Sequence, residues 1–275
     1  MSSGVLGENT MTNATVLTEV DRRGVATVTL NRPDVNNAYN SELVLGLIDA
    51  FRALGADTRV RVVVIRGNGR HFQAGADLKW VREISKLSLE ENLKVSTNTT
   101  DAVRGLNEFP KPSIALVHGG CFGGGVGLVA ACDIVIASED AIFAITETRW
   151  GLIPSPIVPQ LNARIGLANV RRYALTSERL DARRAREIGL VNEVCPTGKL
   201  DEAAAPIIDA LLMCGPDAIA QTKACALETA GQVIDDNLAM RLARQHAAKR
   251  MTPEGAEGLA SFVEKRKPAW YTGGV

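Results

Sequence analysis

The sequence predicts an α/β protein, a core of parallel strands alternating with helices and closed by a helical C-terminal region. Three observations carry this. Short β-branched runs such as "VRVVVIRG", "SIALV" and "DIVIAS" recur between segments of helical periodicity over the first two-thirds of the chain, the alternation that builds a parallel sheet. From Ser155 onward the pattern is mostly helical, broken by one strand-like run, "GLVNEV". Two buried strands are also followed by loops with bare backbone, Ala74-Gly75-Ala76 within "HFQAGADLK" and the glycines of "GGCFGGGVGLVAACD", as turns at a ligand-binding sheet edge are.

Residues 1–12 show neither the basic end nor the apolar core of a secretory leader, and a disordered tail is expected there. "TVLTEVDRRGVATVTLN" reads as a hairpin over 15–30, two β-rich runs about a polar turn. "NRPDVNNAYN" is a turn-rich loop. Ser41 is expected to cap the next helix, in which Leu43, Leu47, Ile48, Phe51 and Leu54 keep helical spacing. The strand "VRVVVIRG" ends at Gly67, and helical residues follow the first bare loop over 79–107. "SIALV" leads into the glycine run, which opens a short apolar helix; "DIVIAS" and "AIFAI" are further strands. Helices are expected at 156–165, 167–176, 181–188, 200–213, 217–230 and 235–249. The organisation is thus a core over 13–197 and a helical region over 198–275.

Composition narrows the function classes. A chain of 275 residues, 46% hydrophobic and 23% charged, holds one large domain or a domain with an appendage. Lys and Arg total 31 against 31 Asp and Glu, with no basic stripe, so nucleic acid is not an expected partner. The five cysteines form no CxxC pair, which supports neither a disulfide framework nor a zinc site and suits a reducing, cytoplasmic compartment. Apolar runs are too short to span a bilayer, and no metal cluster is expected.

The glycine run opens a helix, so its first N–H groups lack partners and carry the positive end of the helix dipole. Bare backbone there suits a phosphate or a carbonyl oxygen that becomes negative during reaction. Gly125-Val126-Gly127-Leu128-Val129-Ala130 matches a dinucleotide fingerprint, but Glu139 and Asp140 come too early for its acidic partner. A third reading is that the glycines only allow close helix–strand packing. In the other loop Asp77 is placed as a helix cap beside the equally bare Ala74-Gly75-Ala76. Two such loops at one sheet edge can supply two N–H donors to one oxygen.

"NRPDVNNAYN", "HFQAGADLK", "GGCFGGGVGLVAACDIVIAS", "AIFAITETRWGLIPS", "RRYALTSERLDARRAREIGLVNEV" and "FVEKRKPAW" fall in the order seen in the enoyl-CoA hydratase/isomerase, or crotonase, family, which the chain resembles over nearly its whole length. That resemblance implies a spiral of ββα turns and a helical C-terminal region used for trimers or paired trimers. It also implies an acyl-CoA thioester substrate, with no separate cofactor because CoA is part of the substrate. The two N–H donors to the thioester oxygen map to Ala74 and Gly124. CoA contacts map to the stretch around Ala38 and to Ala74, Ala76, Asp77, Leu78 and Lys79, the last reaching the phosphates. Phe262 and Lys265 match positions that reach the CoA of a neighbouring subunit; from the residues alone they read equally as an amphipathic helix with a solvated lysine.

Hydratases of this family carry two glutamates. The second matches Glu147, which past a short apolar strand can be desolvated into a useful pKa range; without the resemblance it reads as a surface group or an ion-pair partner of Arg149. The first falls on Gly127, between apolar Val126 and Leu128. Two enzyme readings follow. Glu147 alone manages water and proton in a hydratase, as resemblance to the branch acting on 3-methylglutaconyl-CoA or isohexenylglutaconyl-CoA implies, or it shuttles a proton between C2 and C4 in an isomerase. A non-catalytic acyl-CoA-binding relative is the reading from another class. Arg149 pairs with a distal substrate carboxylate or lies at the surface; Trp150 and Ile153 shape the acyl pocket unless Trp150 packs in the core. Cys121 is a further pocket-lining candidate.

Overall fold

The computed structural model describes residues 11–13 and 15–274. Strands β1 (Met11–Asn13), β2 (Val16–Val20) and β3 (Val25–Leu30) form an antiparallel ribbon. Residues 1–10 of the expected tail lie outside the described residues. Met11 and Thr12 are strand instead of tail, pairing with Thr18 and Leu17; backbone pairing at a sheet edge needs no apolar pattern. The turn between β2 and β3 is held by Asp21, whose carboxylate accepts the N–H groups of Arg23 at 2.8 Å and Val25 at 2.9 Å.

Helix α1 (Ser41–Ala56) buries Leu43, Leu47, Phe51 and Leu54. Its cap is Asn40, not Ser41. Asn40 keeps an extended backbone and accepts the Leu43 N–H at 3.0 Å, as a capping side chain requires. Ser41 sits one residue inside and instead accepts a hydrogen bond from Trp80 Nε1 at 2.9 Å. Strand β4 (Val62–Gly67) runs parallel to β3. The segment expected as continuous helix is two, α2 (Leu78–Ile84) and α3 (Leu89–Asn107), because Ser88 and Glu91 close a capping box that starts a new helix.

Strand β5 (Ser113–Val117), wholly buried, lies parallel to β4. The glycine run then contains a strand that glycine content had hidden, β6 (Gly120–Phe122), before α4 (Gly124–Ala131) begins. β7 (Ile134–Ser138) returns beside β5. β8 (Ile142–Ala144) pairs with β6 in a second sheet. Helix α5 (Val158–Thr176) is broken at Gly166, whose φ of 74° and ψ of 155° are not helical, which accounts for the two helical periods in the sequence. β9 (Leu180–Asp181), α6 (Ala182–Glu187) and β10 (Glu193–Cys195) complete the run, β10 lying parallel to β7. The large sheet has the order β1-β2-β3-β4-β5-β7-β10 and the small one β6-β8-β9. Because β3, β4, β5, β7 and β10 run the same way, the loops after β4 and β5 leave from one edge.

Two compact units divide the chain, Met1–Pro206 and Ile207–Val275. Their boundary lies inside α7 (Leu200–Met213), whereas the sequence placed it at 197/198. The first turn of α7 belongs with the core: Leu200 and Ala204 are buried, and Asp201 pairs with Arg66 at 3.1 Å. The second unit holds the remainder of α7 with α8 (Pro216–Thr229), α9 (Asp236–Arg250) and α10 (Pro253–Val263). Within it Glu254 caps α8, accepting the Asp217 and Ala218 N–H groups at 3.0 and 2.8 Å while pairing with Lys249.

Candidate active site

The first bare loop is held from both sides. Asn37, fully buried, donates from Nδ2 to the carbonyls of Asn68 at 2.8 Å and His71 at 2.9 Å, and accepts the Arg32 N–H at 2.8 Å. On the other side Gln73 N–H donates to the Gly120 carbonyl at 3.1 Å and its carbonyl accepts from Phe122 at 2.8 Å, so the loop runs beside β6. His71 is structural: its Nδ1 accepts the Gly120 N–H at 2.7 Å, and burial lowers its pKa. Cys121, expected to line a pocket, is instead buried in the core on β6, where burial pushes its thiol pKa well up.

Following the backbone N–H groups through the two loops identifies the free donors. Ala74 N–H donates to the Asn36 carbonyl at 3.0 Å, so it is not the donor the resemblance implied. Gly75 stands at φ 86°. Its N–H bonds to Gln73 Oε1 at 3.1 Å, and its carbonyl turns to accept Tyr39 N–H at 2.8 Å. Asp77 N–H then donates to the Tyr39 carbonyl at 2.9 Å. In such a parallel bridge the residue between, Ala76, directs its own N–H away from Tyr39. Ala76 N–H has no acceptor among the described residues, and neither do the first amides of α4, Gly124 and Gly125. Of the two alanines in this loop, Ala76 and not Ala74 has the free amide. A methyl group at Gly124 would come within 2.6 Å of Tyr39 Cε1, so its bareness also makes room for that ring.

Glu147 opens a short 3₁₀ turn, Glu147–Trp150, just past β8. A Cβ on Gly123 would stand 3.0 Å from Glu147 Oε1, which places the carboxyl against the N-terminus of α4. Its Oε2 is buried with no hydrogen-bond partner among the described residues. Burial raises the Glu147 pKa, and backbone N–H groups of Glu147 and Thr146 oppose the rise only in part. The Tyr39 phenol is raised to about 12, first by burial and then by the Glu147 charge. Arg149 does not pair with Glu147; it is exposed and unpaired among the described residues.

Gly127 is bare for a reason the sequence did not show. A Cβ there would lie 2.0 Å from Ile157 Cγ2 and 2.7 Å from its Cβ. Ile157, 3% exposed, occupies the room a side chain at 127 would need.

The remaining expected residues fall in two groups. Ala38 is buried and its carbonyl accepts from Arg32 Nη1, while Arg32 Nη2 meets Asp77 Oδ2 at 3.2 Å. Asp77 caps α2 through the Lys79 N–H at 3.0 Å. Burial opposes ionisation of its carboxyl, but bonds from Arg32 and the backbone outweigh this and lower its pKa. Leu78 and Lys79 are exposed beside it. Trp150 and Ile153 are 60% and 76% exposed, so Trp150 is not a core residue. Phe262, 83% exposed, and Lys265 belong to the second unit. Sequence reasoning missed Tyr39, Arg32, Asn37, Gln73 and Ile157. Tyr39 stood inside a quoted motif; nothing local marked Ile157.

Comparison with known proteins agrees with this architecture. Residues 21–273 match the family model described as enoyl-CoA hydratase/isomerase. A Thermus thermophilus protein named as an enoyl-CoA hydratase is 33% identical over 252 residues, covering 92% of this chain and 99% of its own. The mitochondrial Delta(3,5)-Delta(2,4)-dienoyl-CoA isomerase of Dictyostelium discoideum is 30% identical, with 90% of this chain and 88% of that protein covered. The crystal structure of an enoyl-CoA hydratase from Shewanella pealeana superposes with a TM-score of 0.90 at 36% identity, covering 93% and 96% of the two chains. The fold is mixed α/β and of crotonase type, and the free amides of Ala76, Gly124 and Gly125 lie in the same part of the molecule as the buried Glu147 Oε2. The chain belongs to the enoyl-CoA hydratase/isomerase family.

Proposed function

We propose that this enzyme adds water across the C2=C3 bond of a 2-enoyl-CoA thioester. The observation that supports it most is the grouping of two unpaired amides, Ala76 and Gly124, with Glu147 Oε2, buried and without a hydrogen-bond partner among the described residues. Glu147 as carboxylate takes a proton from water while the water oxygen attacks C3. The thioester becomes an enolate whose oxygen accepts both N–H groups, and losing one such donor typically costs about 2.7–4 kcal/mol of barrier. The Glu147 carboxylic acid then returns the proton to C2, so one water is added and the carboxylate is regenerated. Its raised pKa suits a group that must both take and give a proton.

Ala38, Ala76, Asp77, Leu78 and Lys79 line the CoA side of the site, with Lys79 reaching the phosphates from its exposed position. Trp150 borders the acyl end. Arg149, exposed and without an ion-pair partner among the described residues, meets a distal carboxylate, which favours glutaconyl-type acyl groups. Phe262 and Lys265 serve the CoA of a neighbouring subunit in a trimer or pair of trimers. The enzyme works in the cytoplasm, and CoA enters with the substrate and is not a separate cofactor.

One observation favours a second reading. Ile157 fills the place beside Gly127, leaving one carboxyl, which suffices for proton transfer between C2 and C4 in an isomerase. A panel of crotonyl-CoA, 3-methylglutaconyl-CoA, isohexenylglutaconyl-CoA and a 3-enoyl-CoA, with Glu147→Gln as control, separates these readings. Hydration abolished by the substitution supports the proposal. Turnover of the 3-enoyl substrate alone supports the isomerase, and binding without turnover supports a non-catalytic carrier.

A further inference from the structure

We propose that the Tyr39 hydroxyl supplies the second hydrogen bond to the reacting water, Glu147 supplying the first; the inference rests on the hydration reading above. A water held for attack in a desolvated site needs more than one polar partner. The place for a second carboxylate is closed, because Ile157 occupies the space beside Gly127 and the flanking Val126 and Leu128 are buried apolar residues. Tyr39 stands between the two amide donors. Its backbone bonds to Gly75 and Asp77 on either side of Ala76, and its ring lies against Gly124. Trp80 meets that ring edge-on at 5.5 Å and is itself tied to Ser41, so the phenol is held in place.

The two polar groups are complementary. Tyr39 offers an O–H donor with no hydrogen-bond partner among the described residues, and Glu147 Oε2 is a buried acceptor equally without one. They do not bond to each other, yet the Glu147 charge acts on the phenol. A water between them satisfies both. The phenol titrates only at about 12, so at neutral pH it orients the water and keeps its own proton. The proton released in attack goes to Glu147, the oxygen goes to C3, and Tyr39 is unchanged by the reaction.

Tyr39→Phe removes the hydroxyl and keeps the ring against Gly124 and Trp80. In the variant kcat for hydration falls roughly ten- to hundredfold, while KM stays within about twofold and the melting temperature is unchanged. A second reaction separates water-holding from packing: exchange of the C2 protons of butyryl-CoA with D2O, followed by NMR, which uses Glu147 and both amides but adds no water. Exchange at the wild-type rate alongside slowed hydration supports the proposal. Hydration unchanged in Tyr39→Phe overturns the Tyr39 role alone, and so does an equal loss of hydration and exchange, which assigns the residue to packing. Wild-type enzyme that exchanges C2 protons but hydrates no 2-enoyl-CoA overturns the hydration reading, and the Tyr39 role with it.

Discussion

Gly127→Ala tests whether the absence of a side chain at this position is enforced by Ile157. The added carbon would lie 2.0 Å from Ile157 Cγ2 and 2.7 Å from Ile157 Cβ, against about 3.5–4.0 Å for relaxed carbon contact. Relief requires a movement of about 1.5 Å by a side chain that is 3% exposed and packed in the core. Overpacking of this kind costs about 1–3 kcal/mol. Ile157→Ala alone leaves a cavity and costs about 2–5 kcal/mol. In the double variant the new methyl enters the vacated space, so the combined loss is smaller than the sum by about 1–2 kcal/mol. Urea unfolding of the four proteins at one concentration, followed by tryptophan fluorescence, measures this coupling. Additive losses would refute the steric account of Gly127.

Further outcomes follow from the charged groups. Glu147 acts first as a carboxylate, so kcat/KM falls with decreasing pH through a pKa above the ordinary carboxyl value of 4.5; a pH–rate profile whose acid limb lies at or below that value contradicts this. The same raised pKa means that Glu147 contributes its stability below the unfolded carboxyl pKa and loses it as pH rises through the folded one. Glu147→Gln is therefore more stable than wild type at neutral pH and gains little below the ordinary carboxyl range, as thermal melts across pH will show. Asp77 has the opposite sign, its lowered pKa giving stability above the unfolded value that is lost as pH falls through the folded one. Asp77→Asn keeps a capping oxygen but loses the charge facing Arg32, so its effect should vanish in acid and cost about 1 kcal/mol or less at neutral pH.

Much of the fold was legible because local rules and tertiary structure agreed. Leu43, Leu47, Phe51 and Leu54 announced α1, and Gly166 separated two helical periods. What stayed hidden depended on neighbours distant in sequence. β6 lies in a glycine-rich stretch whose strand signal is weak, and it is strand because Gln73 and β8 pair with it. Asn40 displaced Ser41 as the cap because the backbone bend, not residue type, chose between two adequate capping side chains. In the candidate site, the desolvation of Glu147 and the free amide of Gly124 were expected from their motifs. The choice of Ala76 over Ala74 needed each N–H traced to its acceptor, and Gly75 with its positive φ decides that tracing. Ile157 fills the space beside a glycine 30 positions earlier in the chain, a contact that no periodicity encodes.

The central claim, that Glu147 and the Ala76 and Gly124 amides direct the addition of water, is tested most directly by isotope. Incubation of 3-methylglutaconyl-CoA with the enzyme in ¹⁸O-labelled water, followed by mass spectrometry of the acyl-CoA products, distinguishes hydration from double-bond migration. The account predicts a hydroxyacyl product carrying one heavy oxygen with wild-type enzyme and at least about a hundredfold less of it with Glu147→Gln. Labelled product formed equally well by the variant, or an isomer of unchanged mass from every enoyl substrate, would contradict it.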